Sequence, residues 1–191
     1  MKLQHDAAPR PLQRFVGLLV GVALTIVSGC AMASPLDDLA SAIAARLSLM
    51  DDVARYKWNH SLPIVDEQRE AKLVGSATAQ AVTFGVPADY AHRVVVAQIE
   101  ASRTRQTELT TLWRAQHHAP FDGVPDLATA QRPAIDAATT NLFRRLRAAM
   151  CELDSDTAHA VFADPPAGLE GAKNAWSTAT AALWPAPDCP H

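Results

Sequence analysis

Leu36, Leu39, Ile43, Met50 and Val53 fall on a count of alternating three- and four-residue steps. An α-helix turns once in about 3.6 residues, so this spacing puts all five on one face. It predicts a helix from Pro35 to Asn59. The same count passes through two cations: Arg46 falls between Ile43 and Met50, and Lys57 follows Val53. Both therefore lie in the apolar stripe, roughly 16 Å apart along the axis and pointing the same way. A buried cation without a counter-charge is costly, so something negative is expected to meet them.

Pro63 ends this helix, and Asp66 can start a second that runs to about Phe84. Gly85 supplies its stop, with Pro87 two residues on. On this second helix Asp66, Arg69, Glu70 and Leu73 share one face. A third helix is expected from Ala88 or Asp89 to Trp113. Its stripe reads Val95, Ile99, Ser102, Gln106, Leu109, Trp113, so two polar residues one turn apart interrupt an apolar seam. The stretch His117 to Asp126 reads as a loop from its Pro, Gly and Asp content. A fourth helix follows from about Pro133 to Glu152, with Ile135, Leu142, Leu146 and Ala149 inward. Two shorter helical stretches, near Asp156 to Phe162 and Leu169 to Leu183, flank the break at Ala163 to Gly168.

Abundant alanine and sparse β-branched and aromatic clusters favour helix over sheet throughout. The expected fold class is all-α, a bundle of about six helices in one domain. With 191 residues and 49% hydrophobic content the chain can build a real core. A formal net charge of −3 gives no bulk electrostatic case for nucleic-acid binding.

The first 33 residues are set apart as an export signal. Lys2, Arg10 and Arg14 make a basic start, Phe15 to Gly29 is an apolar run short for a membrane span, and Ala31-Met32-Ala33 precedes Ser34 with small residues where a signal peptidase reads. The domain is then expected to occupy residues 34 to 191, periplasmic or secreted. The rival is a lipoprotein anchored through Cys30, within Val27-Ser28-Gly29-Cys30. A first helix that begins near Leu36 leaves that anchor almost no tether. Export leaves Cys151 and Cys189 as a pair in an oxidising compartment, where a disulfide is expected.

Arg46, Lys57, Asp66, Arg69, Glu70, Ser102 and Gln106 thus stand on the inward faces of three helices. A single one is commonplace; together they suggest a polar, cation-rich pocket suited to a small dianion. No serine has an evident His and Asp partner. His60, His92, His117, His118 and His159 show no metal-ligand spacing, and no Gly-rich phosphate loop is present. The pattern suits binding and electrostatic stabilisation rather than covalent chemistry.

The run from Ile43 to Glu70, with the later Gln98 to Gln106, resembles the AroQ-class chorismate mutases, in particular the exported gamma subclass. The resemblance implies an all-helical fold and the cofactor-free rearrangement of chorismate to prephenate, with no metal and no nucleic acid. It implies a homodimer with one active site inside each chain. By the same resemblance Arg46 pairs with a substrate carboxylate, and Lys57 reaches a carboxylate and the ether oxygen. Asp66 orders the site beside that lysine, Arg69 is a second arginine at the pocket, and Glu70 takes the substrate hydroxyl. Ser102 sits where the family has a small hydroxyl residue near a carboxylate, and Gln106 donates to the ether oxygen. One departure is visible. Asn141 stands where some exported members carry a further arginine for the second carboxylate, and Arg145 or Arg132 is a substitute. Two other readings compete: a binding protein for a small dicarboxylate without turnover, and a structural bundle whose charges are ion pairs.

The protein recovered from the periplasm is expected to begin at Ser34 and to carry no lipid. N-terminal sequencing or intact mass measures this, and a blocked, diacylated Cys30 would overturn it.

Overall fold

A computed structural model describes residues 34–189. The export segment and the Cys30 anchor lie outside the described residues.

Ser34 caps the first helix, accepting from Asp37 N at 3.1 Å, and Pro35 opens α1 (Pro35–Asn59) at a position where its missing N–H costs nothing. The bounds are those the stripe predicts. Asp66 caps α2 (Glu67–Thr83), accepting from Arg69 N at 3.1 Å. After α2 the chain turns through Gly85 at φ +85°, a conformation in which a side chain is strained. Arg147 Nε would also lie 3.2 Å from a Cβ there. Helix α3 (Ala88–Ala115) runs two residues past the expected Trp113.

The loop that follows is tied back to the end of α1. Asn59 and Phe121 exchange two hydrogen bonds, each of 2.8 Å. Asp126 then caps a wide π-type turn (Leu127–Gln131) by accepting from Ala128 N and Thr129 N, and Gln131 Nε2 donates to Pro125 O and to Asp52 O on α1. Helix α4 (Arg132–Ala149) grows directly from this turn; its α-helical part stops at Ala149, and one 3₁₀ turn (Met150–Glu152) carries the stretch to the expected Glu152. Two short helices, α5 (Asp156–Phe162) and α6 (Lys173–Ala181), complete the chain. The tail expected as one stretch from Leu169 is a 3₁₀ turn (Glu170–Ala172) followed by α6.

Helix α1 is the central element and packs against α3 and α4, while α2 and α6 pack on α3. Its stripe supplies Leu36, Leu39, Ile43, Leu47, Met50 and Val53 to the core. Leu142, Phe143, Leu146 and Ala149 meet it from α4, whereas Ile135 is half-buried. Each buried leucine contributes about 1.5–3 kcal/mol over exposure. Helix α2 is different: it buries only Ala81. Its inward residues Leu73, Val74 and Ala77 are only partly covered, so it stands off from the bundle as a wall with space behind it.

The tail is stitched on by polar contacts that leave that space alone. Arg105 is buried, takes both oxygens of Asp51 at 2.8 Å and donates to Gly171 O. Gln98 Nε2 donates to Ala179 O, and Trp176 Nε1 to Phe162 O. Cys151 and Cys189 are joined as expected, with Cα atoms 5.6 Å apart. Among the described residues no helix is long and apolar enough to cross a membrane.

The bridge spans a sequence separation of 38 residues. In the chain-entropy model closing such a loop is worth roughly 4 kcal/mol. Reduction is therefore expected to lower the melting temperature. Because the bridge lies away from the hollow behind α2, ligand binding and turnover should survive reduction at temperatures below the new transition. Two free thiols in the native, non-reduced protein would rule the bridge out.

Candidate active site

The hollow behind α2 has a volume of about 400 Å³. Arg46, Lys57, Asp66, Arg69, Glu70, Ser102 and Gln106 all line it. Helix α1 contributes Arg46 and Lys57, α2 with its cap Asp66 contributes Arg69 and Glu70, and α3 contributes Ser102 and Gln106. Met50, Val53, Leu73 and Ile99 form apolar wall between them, and the turn Leu62 to Val65 closes one end. A second hollow of about 460 Å³ lies on the far side of Arg46 and Arg69, toward Asp136 and Thr139.

Arg46 is buried, yet no carboxylate meets it among the described residues. Its Nε donates to Thr139 Oγ1 at 3.2 Å, and one terminal nitrogen to Gln98 O at 3.0 Å and Ser102 Oγ at 2.9 Å. Neutral oxygens thus orient the guanidinium without cancelling its charge. Burial lowers its pKa to about 10, which leaves it protonated at neutral pH. Its other terminal nitrogen has no partner among the described residues. The negative partner expected from the sequence is absent here, and the charge remains for a ligand.

Ser102 turns out to serve Arg46. Its hydroxyl donates to Gln98 O at 2.7 Å and accepts from Arg46, so its proton is already committed to its own helix. Gln106 Nε2 donates to Ser102 O at 2.9 Å, which sets the amide's orientation, since the reversed amide would face oxygen to oxygen. Its second hydrogen meets only Met50 Sδ at 3.8 Å, a weak acceptor. Lys57 Nζ donates to Ile64 O at 2.6 Å and keeps two hydrogens. Burial pushes the Lys57 pKa below the ordinary lysine value. Glu70 and Asp66 oppose that shift, and Arg69 and Arg132 add to it. Arg69 is likewise lowered, by burial first and then by Arg132.

Asp66 is spent largely as a helix cap. Glu70 gives one oxygen to Arg103 across to α3, while its Oε1 faces Asp66 N at 3.4 Å. Arg103 belongs to the wall and was not marked out by the sequence stripe. The signal was there: from Ile99, a step of four and then three passes through Arg103 to Gln106, just as a step of three and then four passes through Ser102 to Gln106. Thr139, half-buried on α4, also escaped notice.

Asn141 does not line either hollow. Arg145 pairs with Asp38 at 2.6 Å, away from the cavity. Arg132, the first residue of α4, does line it, because the Gln131–Asp52 contact ties that end of α4 to α1. Its Nε is buried without a partner among the described residues. The cavity therefore holds five cations, Arg46, Lys57, Arg69, Arg103 and Arg132, against Asp66 and Glu70. Among the described residues no cluster of His, Cys, Asp and Glu could hold a metal ion.

Comparison with known proteins places this geometry. Residues 37–107 match the family described as Chorismate mutase type II. The chain is 30% identical over 149 residues to the secreted chorismate mutase of Mycobacterium tuberculosis, covering 72% of each chain. The chain belongs to the chorismate mutase type II family. It is also 35% identical over 101 residues to the secreted chorismate mutase of Yersinia pestis, where the match spans 53% of this chain and only 54% of that protein. The crystal structure of the chorismate mutase from Burkholderia phymatum superposes with a TM-score of 0.69 at 28% identity, covering 79% of this chain and 98% of that one. The resemblance and the all-α fold expected from the sequence both hold. The family match spans α1, α2 and most of α3, the elements that carry all seven residues.

The donors in this chorismate mutase cavity carry a pH signature. An amide donates at any ordinary pH, so kcat/KM for chorismate should stay level from about pH 5 to pH 8. It should then fall on the alkaline side, below the ordinary lysine value of 10.5, because a lowered pKa means that Lys57 loses its proton early as pH rises. Gln106→Glu should confine activity to acid, falling about tenfold per pH unit above the new carboxyl's pKa, since only the protonated acid donates. A flat profile in that variant would move the donor role away from residue 106.

Proposed function

We propose that this family member is an exported chorismate mutase, converting chorismate to prephenate in a cavity contained within one chain. The observation that carries the reading is a set of aimed but unspent donors. Lys57 keeps two hydrogens, Gln106 one, and Arg46 a terminal nitrogen, while Arg69 and Arg132 make no side-chain ion pair among the described residues. A structural bundle would have paired these charges.

The substrate carries two carboxylates and breaks a C–O bond as a C–C bond forms, in one pericyclic step. No group attacks it, which suits a cavity without a nucleophile–base pair. The protein has two tasks: to hold the folded conformer and to stabilise charge that builds on the ether oxygen. Arg46 takes one carboxylate, held in place by Ser102, Gln98 and Thr139. Arg132 takes the second in place of the further arginine that is absent at Asn141, with Arg69 beside it. Lys57 and Gln106 donate to the ether oxygen, and Glu70 accepts the substrate hydroxyl. Asp66 fixes the start of α2 and so the position of Arg69 and Glu70. No cofactor enters.

Export is supported by the amino-terminal pattern and by relatives that are named as secreted proteins. Cleavage before Ser34 would free the residue that caps α1, leaving one helical domain. The homodimer implied by the resemblance would keep each site inside its own chain.

The purified protein without its export segment should consume chorismate, read as loss of chorismate absorbance. Lys57→Ala should lower kcat/KM at least about a thousandfold, or ~4 kcal/mol of transition-state stabilisation, with the circular dichroism spectrum unchanged. Binding of chorismate without turnover would mark a dicarboxylate-binding protein instead. Near-normal turnover in Lys57→Ala would remove the ether-oxygen role.

A further inference from the structure

Among the described residues, Arg103 is the one cation of the cavity wall that already holds carboxylates. It sits on α3, one residue past Ser102, half-buried at the cavity edge. One terminal nitrogen takes Glu70 on α2, and the other takes Glu100, one turn back on its own helix, at 2.8 Å. Its Nε is buried with no partner among the described residues.

The two pairs differ in surroundings. The Glu100 side chain is 48% exposed and the contact is an i,i+3 surface pair, a kind worth little in water. Glu70 is 15% exposed, faces the cavity, and crosses from one helix to another. Glu70 rides on α2, the helix with least burial, and among the described residues its carboxylate has just one other hydrogen bond, the long 3.4 Å approach of Asp66 N to Oε1. Without Arg103 the Glu70 side chain would be free to rotate among several rotamers, and ordering it again on binding would cost conformational entropy.

We propose that Arg103 is a positioning residue for substrate recognition: by holding Glu70 Oε2 it fixes the Glu70 carboxylate on the cavity wall, where that carboxylate accepts the substrate hydroxyl. The inference rests on the chorismate reading above. It assigns to this cation a task distinct from those of Arg46, Arg69 and Arg132, which remain free for carboxylates. A hydroxyl contact that is equal in substrate and transition state affects binding rather than the chemical step. Arg103 therefore acts through KM, and only for ligands that carry the hydroxyl.

The test is a double-mutant cycle on the full folded domain with chorismate as substrate. Arg103→Met should raise KM about tenfold with kcat within about threefold of wild type, and Arg103→Lys, which keeps the charge, should recover most of that loss. In a Glu70→Gln background, Arg103→Met should add less than about threefold. Glu100→Gln, which removes only the surface partner, should leave KM unchanged. A competitive inhibitor with both carboxylates but no hydroxyl should bind wild type and Arg103→Met equally. An unchanged KM in Arg103→Met, effects that multiply with Glu70→Gln, or equal weakening of the hydroxyl-free inhibitor would overturn the proposal. Should Arg103→Met fold poorly, Arg103→Gln in the same cycle reads the same coupling. Wild type that binds chorismate but does not turn it over would sink the functional reading instead, and the two failures are told apart by this control.

Discussion

Among the described residues, the guanidinium of Arg46 meets neutral oxygens alone in the core. Its contacts reach Gln98 and Ser102 on α3 and Thr139 on α4, so one side chain of α1 fixes the spacing of three helices. A buried ion pair would have cancelled the charge and closed the space. Neutral acceptors satisfy the donors and leave the field, and the net positive cavity follows from that choice. Ser102 is drawn into the same network and in turn orients Gln106 through its carbonyl. The proposed binding of one carboxylate and the proposed stabilisation of the ether oxygen therefore share one rigid seam of α3.

Rigidity on that side contrasts with α2. It packs on α3 but buries a single alanine, and its cavity residues depend on the Asp66 cap and on the Glu70–Arg103 pair for their placement. The scaffold is held elsewhere, by the α1–α4 core, the Arg105–Asp51 pair and the Cys151–Cys189 bridge. Stability and ligand handling are thus assigned to different parts of the bundle.

Much of this was legible before the fold. The three- and four-residue count on α1 named both its core and its two cavity cations, because a helix converts sequence spacing into direction with little freedom. The same count found Asp66, Arg69, Glu70, Ser102 and Gln106, all of which line the cavity. It was less able to say what each does. Ser102 looked like a ligand donor and is committed to Arg46. Asp66 was read both as the start of α2 and as an acid beside Lys57, and the cap is the role its side-chain contact shows. These are matters of which neighbour lies nearest, and a one-dimensional pattern does not contain distances.

The residues of α4 show the boundary between the two kinds of knowledge. The sequence by itself determined the helix, its apolar face and the presence of arginines at 132 and 145. Only the tertiary structure decided between them. Gln131 reaches across to Asp52 O and brings the start of α4 to the cavity, while Arg145 is captured by Asp38 and Asn141 is left off the lining. Secondary structure is set by neighbours in the chain, through periodicity and caps. Where a long, flexible cation ends up is set by partners about 80 to 110 positions away in the chain, and no local rule reaches that far.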